Sequence, residues 1–110
     1  MKTESKIQQE IVLFFNNNYC LKNHKPRCAI FSVPNEGKSK MEILRKKAIG
    51  LKPGVSDLIV IMEGQVLFVE VKTPAGRQSE RQKDFEKIVS NLGFKYFVVR
   101  SLAQFKNEIL

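Results

Sequence analysis

Gly54-Val-Ser-Asp-Leu-Ile-Val-Ile-Met-Glu-Gly-Gln-Val-Leu-Phe-Val-Glu-Val-Lys-Thr-Pro-Ala-Gly76 reads as a β-hairpin whose apolar strands carry three charged residues, Asp57, Glu70 and Lys72. The runs 58–62 and 66–71 are rich in β-branched side chains. Glu63-Gly64 between them supplies a glycine where a tight two-residue turn needs positive φ. With these two as the loop, Met62 faces Gln65 and Ile61 faces Val66, and the ladder carried outward sets Asp57 opposite Glu70. Opposed residues share a face with Cβ atoms about 5 Å apart. The period of two then puts Lys72 on the Glu70 face.

Two facing carboxylates between apolar strands repel each other where water is scarce, so they need a bridging cation or proton. Oxygen donors with no nitrogen or sulfur ligand nearby suit a hard divalent ion, magnesium or manganese, better than zinc. Lys72 beside that ion would orient a water, help to deprotonate it, or balance charge on a phosphorane-like transition state. A structural ion pair between Lys72 and one of the carboxylates is the alternative the spacing leaves open.

The 110 residues suit a single domain over 1–110, with 43% hydrophobic residues for one core. Nineteen Lys and Arg against eleven Asp and Glu give a formal charge of +8, which points to a polyanionic partner, nucleic acid before any other. No apolar run approaches a membrane span, and no secretory signal is visible, so the expected location is a reducing cytoplasm. Cys20 and Cys28 read as reduced packing residues. His24, the only histidine, sits in a polar run and supports neither a zinc site nor a histidine-based nuclease motif.

In chain order, Ile7, Ile11, Phe14 and Phe15 mark a helix from Thr3 to a stop at Asn16-Asn-Asn18. Glu4 lies on a stripe with Gln8, Ile11 and Phe15, whereas Glu10 lies with Ile7 and Phe14. Ala29–Val33 is a strand candidate ended by Pro34, and Pro34-Asn35-Glu36-Gly37 is a turn. Lys38, Lys40, Arg45, Lys46, Lys47 and Lys52 then form a basic run, as a short amphipathic helix or an ordered loop leading to Asp57. Such a run is either a solvated face or a phosphate-contacting surface. Ser79-x-x-Gln82 is a capping box that opens a helix ending at Gly93. Tyr96–Val99 is a buried strand, and Ser101 begins a last helix. The architecture expected is α/β, a mixed sheet flanked by helices.

Ser56-Asp57 followed by Glu70-Val71-Lys72 resembles the PD-(D/E)xK nuclease signature. The words Ile49-Gly-Leu-Lys-Pro-Gly-Val-Ser-Asp-Leu58, Phe68-Val-Glu-Val-Lys-Thr-Pro74, Gly76 and Gln82 resemble its VRR-NUC branch, over about residues 4 to 101. Ser56 stands where the superfamily signature has Pro. The resemblance implies a restriction-endonuclease-like fold and a Mg²⁺- or Mn²⁺-dependent endodeoxyribonuclease. It implies a metal held by Asp57, Glu70, the Val71 carbonyl and an acidic residue of the first helix, for which Glu4 matches the pattern better than Glu10. It gives Lys72 a catalytic role and places Gln82 on the catalytic face, a duty that one side-chain amide is not expected to combine with the helix cap.

Asn35 or Glu36 beside the site is also implied, and Arg77 and Arg81, with Lys83, add charge at the helix start. Branched or flapped DNA is the substrate class expected, with likeness to Holliday junction resolvases, a C2 homodimer for a two-fold junction, and a bacterial or phage-infected cell as setting. The rival class is a non-catalytic nucleic-acid-binding module that retains the fold. A sequence-specific restriction-type enzyme would normally need additional recognition segments.

Overall fold

The computed structural model describes residues 2–22, 26–34 and 39–110. Helix α1 (Glu4–Phe15) continues through a π-helical turn (Asn16–Cys20) into strand β1 (Ala29–Ser32) and helix α2 (Lys40–Ala48). Strands β2 (Leu58–Met62) and β3 (Gln65–Val71), helix α3 (Glu80–Asn91), strand β4 (Lys95–Val99) and helix α4 (Leu102–Ile109) complete the chain. The sheet runs β1-β2-β3-β4, with β1, β2 and β3 antiparallel in turn and β4 parallel to β3 across the α3 crossover.

The hairpin has the expected register. Met62 pairs with Gln65, Ile61 with Val66 and Leu58 with Val69, and Gly64 turns the chain at φ +73°. Alternation splits β3 between two apolar layers. Leu67, Val69 and Val71 join Leu58, Val60, Ile30 and Val99 in the core beneath α1 and α4, which contribute Ile7, Ile11, Phe15 and Phe105. Removing a side chain such as Phe15 or Phe105 from water contributes about 2 kcal/mol. Phe68, on the opposite face, meets Phe85 of α3 edge-on at 5.6 Å, and Phe85 meets Tyr96 at 6.3 Å. Glu70 and Lys72 alternate with Val69 and Val71, so they follow Phe68 onto this α3 side.

One element expectation changes, and one open alternative is decided. The helical path does not stop at Asn16–Asn18 but runs one π turn further, to Cys20. Tyr19 stacks on Phe15 with ring centroids 5.3 Å apart, and the Asn18 amide donates to the Phe14 carbonyl at 2.9 Å. Packing thus overrides the turn preference of asparagine. The basic run forms α2, capped by the Ser39 hydroxyl, yet α2 buries no residue. Met41 and Leu44 are 60% and 62% exposed. Cys20 and Cys28 are free thiols with sulfurs 3.6 Å apart. His24 and the expected turn at Asn35-Glu36-Gly37 lie outside the described residues, as does Lys38.

The segment that returns from α2 to β2 is seated by Gly54. This residue has φ +86°, and a Cβ there would sit on the backbone carbonyl of Arg81 in the first turn of α3. Gly64 shares the positive φ but faces open space. Gly64→Ala should therefore cost about 1 kcal/mol for left-handed backbone alone. Gly54→Ala should cost about 3 kcal/mol or more because backbone must also move. Urea unfolding of the two variants beside the parent measures the difference.

Candidate active site

Four residues from separate parts of the chain converge where β3 ends. Asp57 comes one residue before β2 and aims its carboxylate across the hairpin, where Oδ2 accepts the Val71 N–H at 2.8 Å. Glu70 is the penultimate residue of β3 and is only 1% exposed. Lys72 follows the strand, its backbone N–H donating to Val99 O at 3.0 Å. Its ammonium stands 4.0 Å from Glu70 Oε2. Gln82 reaches the same oxygen from α3, its Nε2 donating at 2.7 Å.

Gln82 makes both of the contacts expected to exclude each other, which corrects that expectation. The carbonyl end accepts the Ser79 N–H at 2.8 Å, and the Ser79 hydroxyl accepts the Gln82 N–H at 3.2 Å, which completes the capping box. The amine end is left to hold Glu70. One side chain makes both contacts because a primary amide accepts at one atom and donates at the other.

Burial first, and the neighbouring Asp57 second, push the Glu70 carboxyl from an ordinary value of 4.5 up to about 9, while Lys72 opposes the rise. Glu70 Oε1 is buried without a hydrogen-bond partner. At neutral pH and without a cation, the pair therefore keeps a proton. This donor set fits a hard divalent ion: a carboxylate oxygen lacking a partner, beside a second carboxylate, in a place too dry to leave both charged. Among the described residues no three of His, Cys, Asp and Glu come together as a metal-holding cluster. A magnesium-like ion here would keep several waters, as that ion ordinarily does.

Glu4 lies exposed in the first turn of α1, near enough to Glu70 for its charge to add to the upward push on that carboxyl. Glu10 is engaged elsewhere, in a 2.8 Å ion pair with Lys2. Of the basic residues, Lys46 pairs with Glu42 at 2.8 Å and Lys83 with Glu80 at 3.5 Å. Lys47, Lys52 and Arg81 line one cleft of about 280 Å³ between the α2–β2 connection and α3, with Pro53, Asp84, Phe85 and Ile88. Lys40 and Arg45 are carried by α2, and Arg77 precedes α3. Asn35 and Lys38 fall outside the described residues.

Sequence reasoning passed over two polar side chains that brace this region. The Gln78 amide donates to Glu86 at 3.1 Å and to the Tyr96 hydroxyl at 3.4 Å. Arg100 donates to three carbonyls of the loop after Lys72. Arg100 is 24 to 27 residues away from those partners, so no local pattern announces it.

Two outcomes follow from the electrostatics. Between about 4.5 and 9 the cation-free folded protein holds a proton on Glu70 that the unfolded chain has released, so stability falls as pH rises through that window. Glu70→Gln should remove this slope, as melting temperatures across the window would record. Gln82→Glu should preserve the cap, since its carboxylate still accepts the Ser79 N–H, while placing a further acid, besides Asp57, against Glu70. Helix stability should hold, and the upper end of the pH slope should move higher still.

The profile of the VRR-NUC domain family matches residues 3–103. A solved structure described as a "VRR_NUC domain protein" superposes with a TM-score of 0.78 at 18% sequence identity, covering 99% of this chain and 86% of that chain. No curated protein matches the sequence. The mixed sheet with its flanking helices is accordingly the restriction-endonuclease-like fold, and the chain belongs to the VRR-NUC domain family.

Proposed function

We propose that this nuclease-family domain is a Mg²⁺- or Mn²⁺-dependent endodeoxyribonuclease that selects branched or flapped DNA by shape. The observation that carries this reading is Glu70: an acid 1% exposed, with one oxygen unpartnered and Asp57 and Lys72 beside it. A binding module with the same fold has no use for two carboxylates in so dry a place, because they repel phosphates and cost folding energy. Asp57, Glu70 and the Val71 carbonyl would hold the ion, with Glu4 contributing from α1. Such an ion lowers the pKa of a bound water and neutralises charge on the phosphate oxygens.

The protein's own groups then have distinct duties. Gln82 fixes one oxygen of Glu70 at 2.7 Å, which leaves the other directed inward. The Val71 N–H holds Asp57 at 2.8 Å. The Lys72 ammonium, 8% exposed as a residue, supplies a fixed positive charge for the attacking water or the phosphate. The cleft with Lys47, Lys52 and Arg81 includes the first turn of α3, the turn that also carries Gln82, and would receive DNA phosphates; Lys40, Arg45 and Lys46 on α2 and Arg77 before α3 are further candidates for phosphate contact.

No helix among the described residues is long and apolar enough to cross a membrane. The setting proposed is the cytoplasm of a bacterial or phage-infected cell, where the DNA substrate is found. A four-way junction presents two symmetric cut positions, and a C2 homodimer would reach both.

The deciding experiment incubates the protein with labelled linear, flapped and four-way DNA, with and without magnesium or manganese. Cleavage that needs the metal and favours the branched forms is expected. Absence of metal-dependent cleavage from every DNA would sink the reading. Asp57→Asn and Glu70→Gln should each lose cleavage by at least about a hundredfold while binding DNA as tightly as the parent or more so. Lys72→Ala should lose cleavage yet still bind manganese in a calorimetric titration. In an Asp57→Asn background, replacing Lys47, Lys52 and Arg81 with Ala should reduce the slope of log affinity against log salt by up to about 2.7. An unchanged slope would move the DNA path away from this cleft.

A further inference from the structure

The loop that joins Lys72 to the capping box of α3 is tied down by a single guanidinium. Arg100, the first residue after β4, donates from Nη1 to Gly76 O at 2.6 Å, to Thr73 O at 2.7 Å and to Pro74 O at 3.3 Å. These carbonyls face inward because Thr73-Pro-Ala-Gly76 closes as a turn, with Gly76 N–H donating to Thr73 O at 3.0 Å. Among the described residues no carboxylate pairs with Arg100. Its positive charge is spent on the partial negative charge of the carbonyl dipoles, in bonds stronger than those between neutral groups. Arg100 is itself held at the backbone, where its N–H donates to Gln104 Oε1 at 2.7 Å and the Gln104 amine donates to Val98 O at 3.3 Å.

The position of this clamp matters more than its strength. Lys72 has no freedom on its N-terminal side, where β3 pairs with β4 and the Lys72 N–H is held by Val99 O. On its C-terminal side the next carbonyl along the chain, that of Thr73, is held by Arg100. Six residues beyond Thr73 stands Ser79, whose cap orients Gln82 on Glu70. Both groups that touch Glu70 Oε2, the Lys72 ammonium and the Gln82 amine, are therefore mounted on the ends of a segment that Arg100 holds in the middle.

We propose that Arg100 is a positioning residue of the active site, holding the Thr73–Gly76 turn so that Lys72 and Gln82 meet Glu70 at their observed distances. The role rests on the nuclease reading above. It assigns Arg100 no contact with DNA or metal. Releasing the turn lets Lys72 drift, and a misplacement of about 1 Å can lower a rate about a hundredfold.

Arg100→Ala supplies the test, because free guanidinium ion can refill the space that the side chain leaves. On whichever DNA the parent cleaves, the variant should lose kcat by roughly tenfold to a hundredfold with KM within about twofold. Guanidinium chloride at about 20 mM, far below denaturing concentrations, should restore much of that loss, whereas equal sodium chloride should not. Lys72→Ala should gain nothing from guanidinium. Amide hydrogen exchange across residues 73–79 should quicken in Arg100→Ala and slow again with guanidinium, while residues 67–71 stay protected; Arg100→Lys, which keeps one charged donor, should fall between. A parent that cleaves no DNA removes the nuclease reading. A cleaving parent whose Arg100→Ala variant keeps its kcat, or loses it without guanidinium rescue, overturns the role of Arg100 alone.

Discussion

Glu70 is held where a carboxylate is least at home. It is nearly inaccessible to water, Asp57 is close enough to raise its pKa, and one of its oxygens has no partner. Desolvation of the charged form dominates and like charge adds to it, so a proton or a cation must accompany the pair. Lys72 does not neutralise it outright: at 4.0 Å the ammonium lies at the outer edge of ion-pair range. In the proposed function a divalent ion would take the proton's place and recover the free energy that holding this acid costs.

The setting of this acid depends on parts that the fold brings in from three directions. The antiparallel hairpin sets Asp57 against Val71, and the parallel pairing of β3 with β4 anchors Lys72 on Val99. The crossover helix lays Gln82 over Glu70, at the carboxyl end of a parallel strand, where α/β sheets commonly carry their sites. Gly54 lets the approach to Asp57 rest directly on the first turn of α3. The hairpin and the helix are thereby locked to each other as well as to the sheet. Dual use of Gln82, as helix cap and as Glu70 donor, means that α3 cannot begin elsewhere without releasing the acid.

Charge is distributed with comparable economy of place. A formal charge of +8 attracts polyanions at long range, but only some cations are available for contact. Lys46 and Lys83 are engaged with acids on their own helices, whereas Lys47, Lys52 and Arg81 share a cleft against α3. Helix α2 buries no residue and leaves Met41 and Leu44 exposed, so its side chains contribute to the surface more than to the core.

The hairpin, its register, the shared face of Glu70 and Lys72, the caps at Ser79 and Ser101 and the α/β class could be read from the residues themselves. Alternation, turn chemistry and capping are local rules, acting over a few positions. The same holds for Asp57 against Glu70, because a two-residue turn determines every pair along its ladder. Other features waited on the tertiary structure. Whether the Asn run would stop a helix depended on Tyr19 meeting Phe15, and which of Glu4 and Glu10 brings its charge to bear on Glu70 depended on how α1 lies across the sheet. That Lys47 and Arg81 share a cleft depended on the packing of a loop against a distant helix. Arg100 was invisible for the same reason: its three acceptors lie a crossover away, and only the closing of β4 beside β3 brings a guanidinium and those carbonyls together.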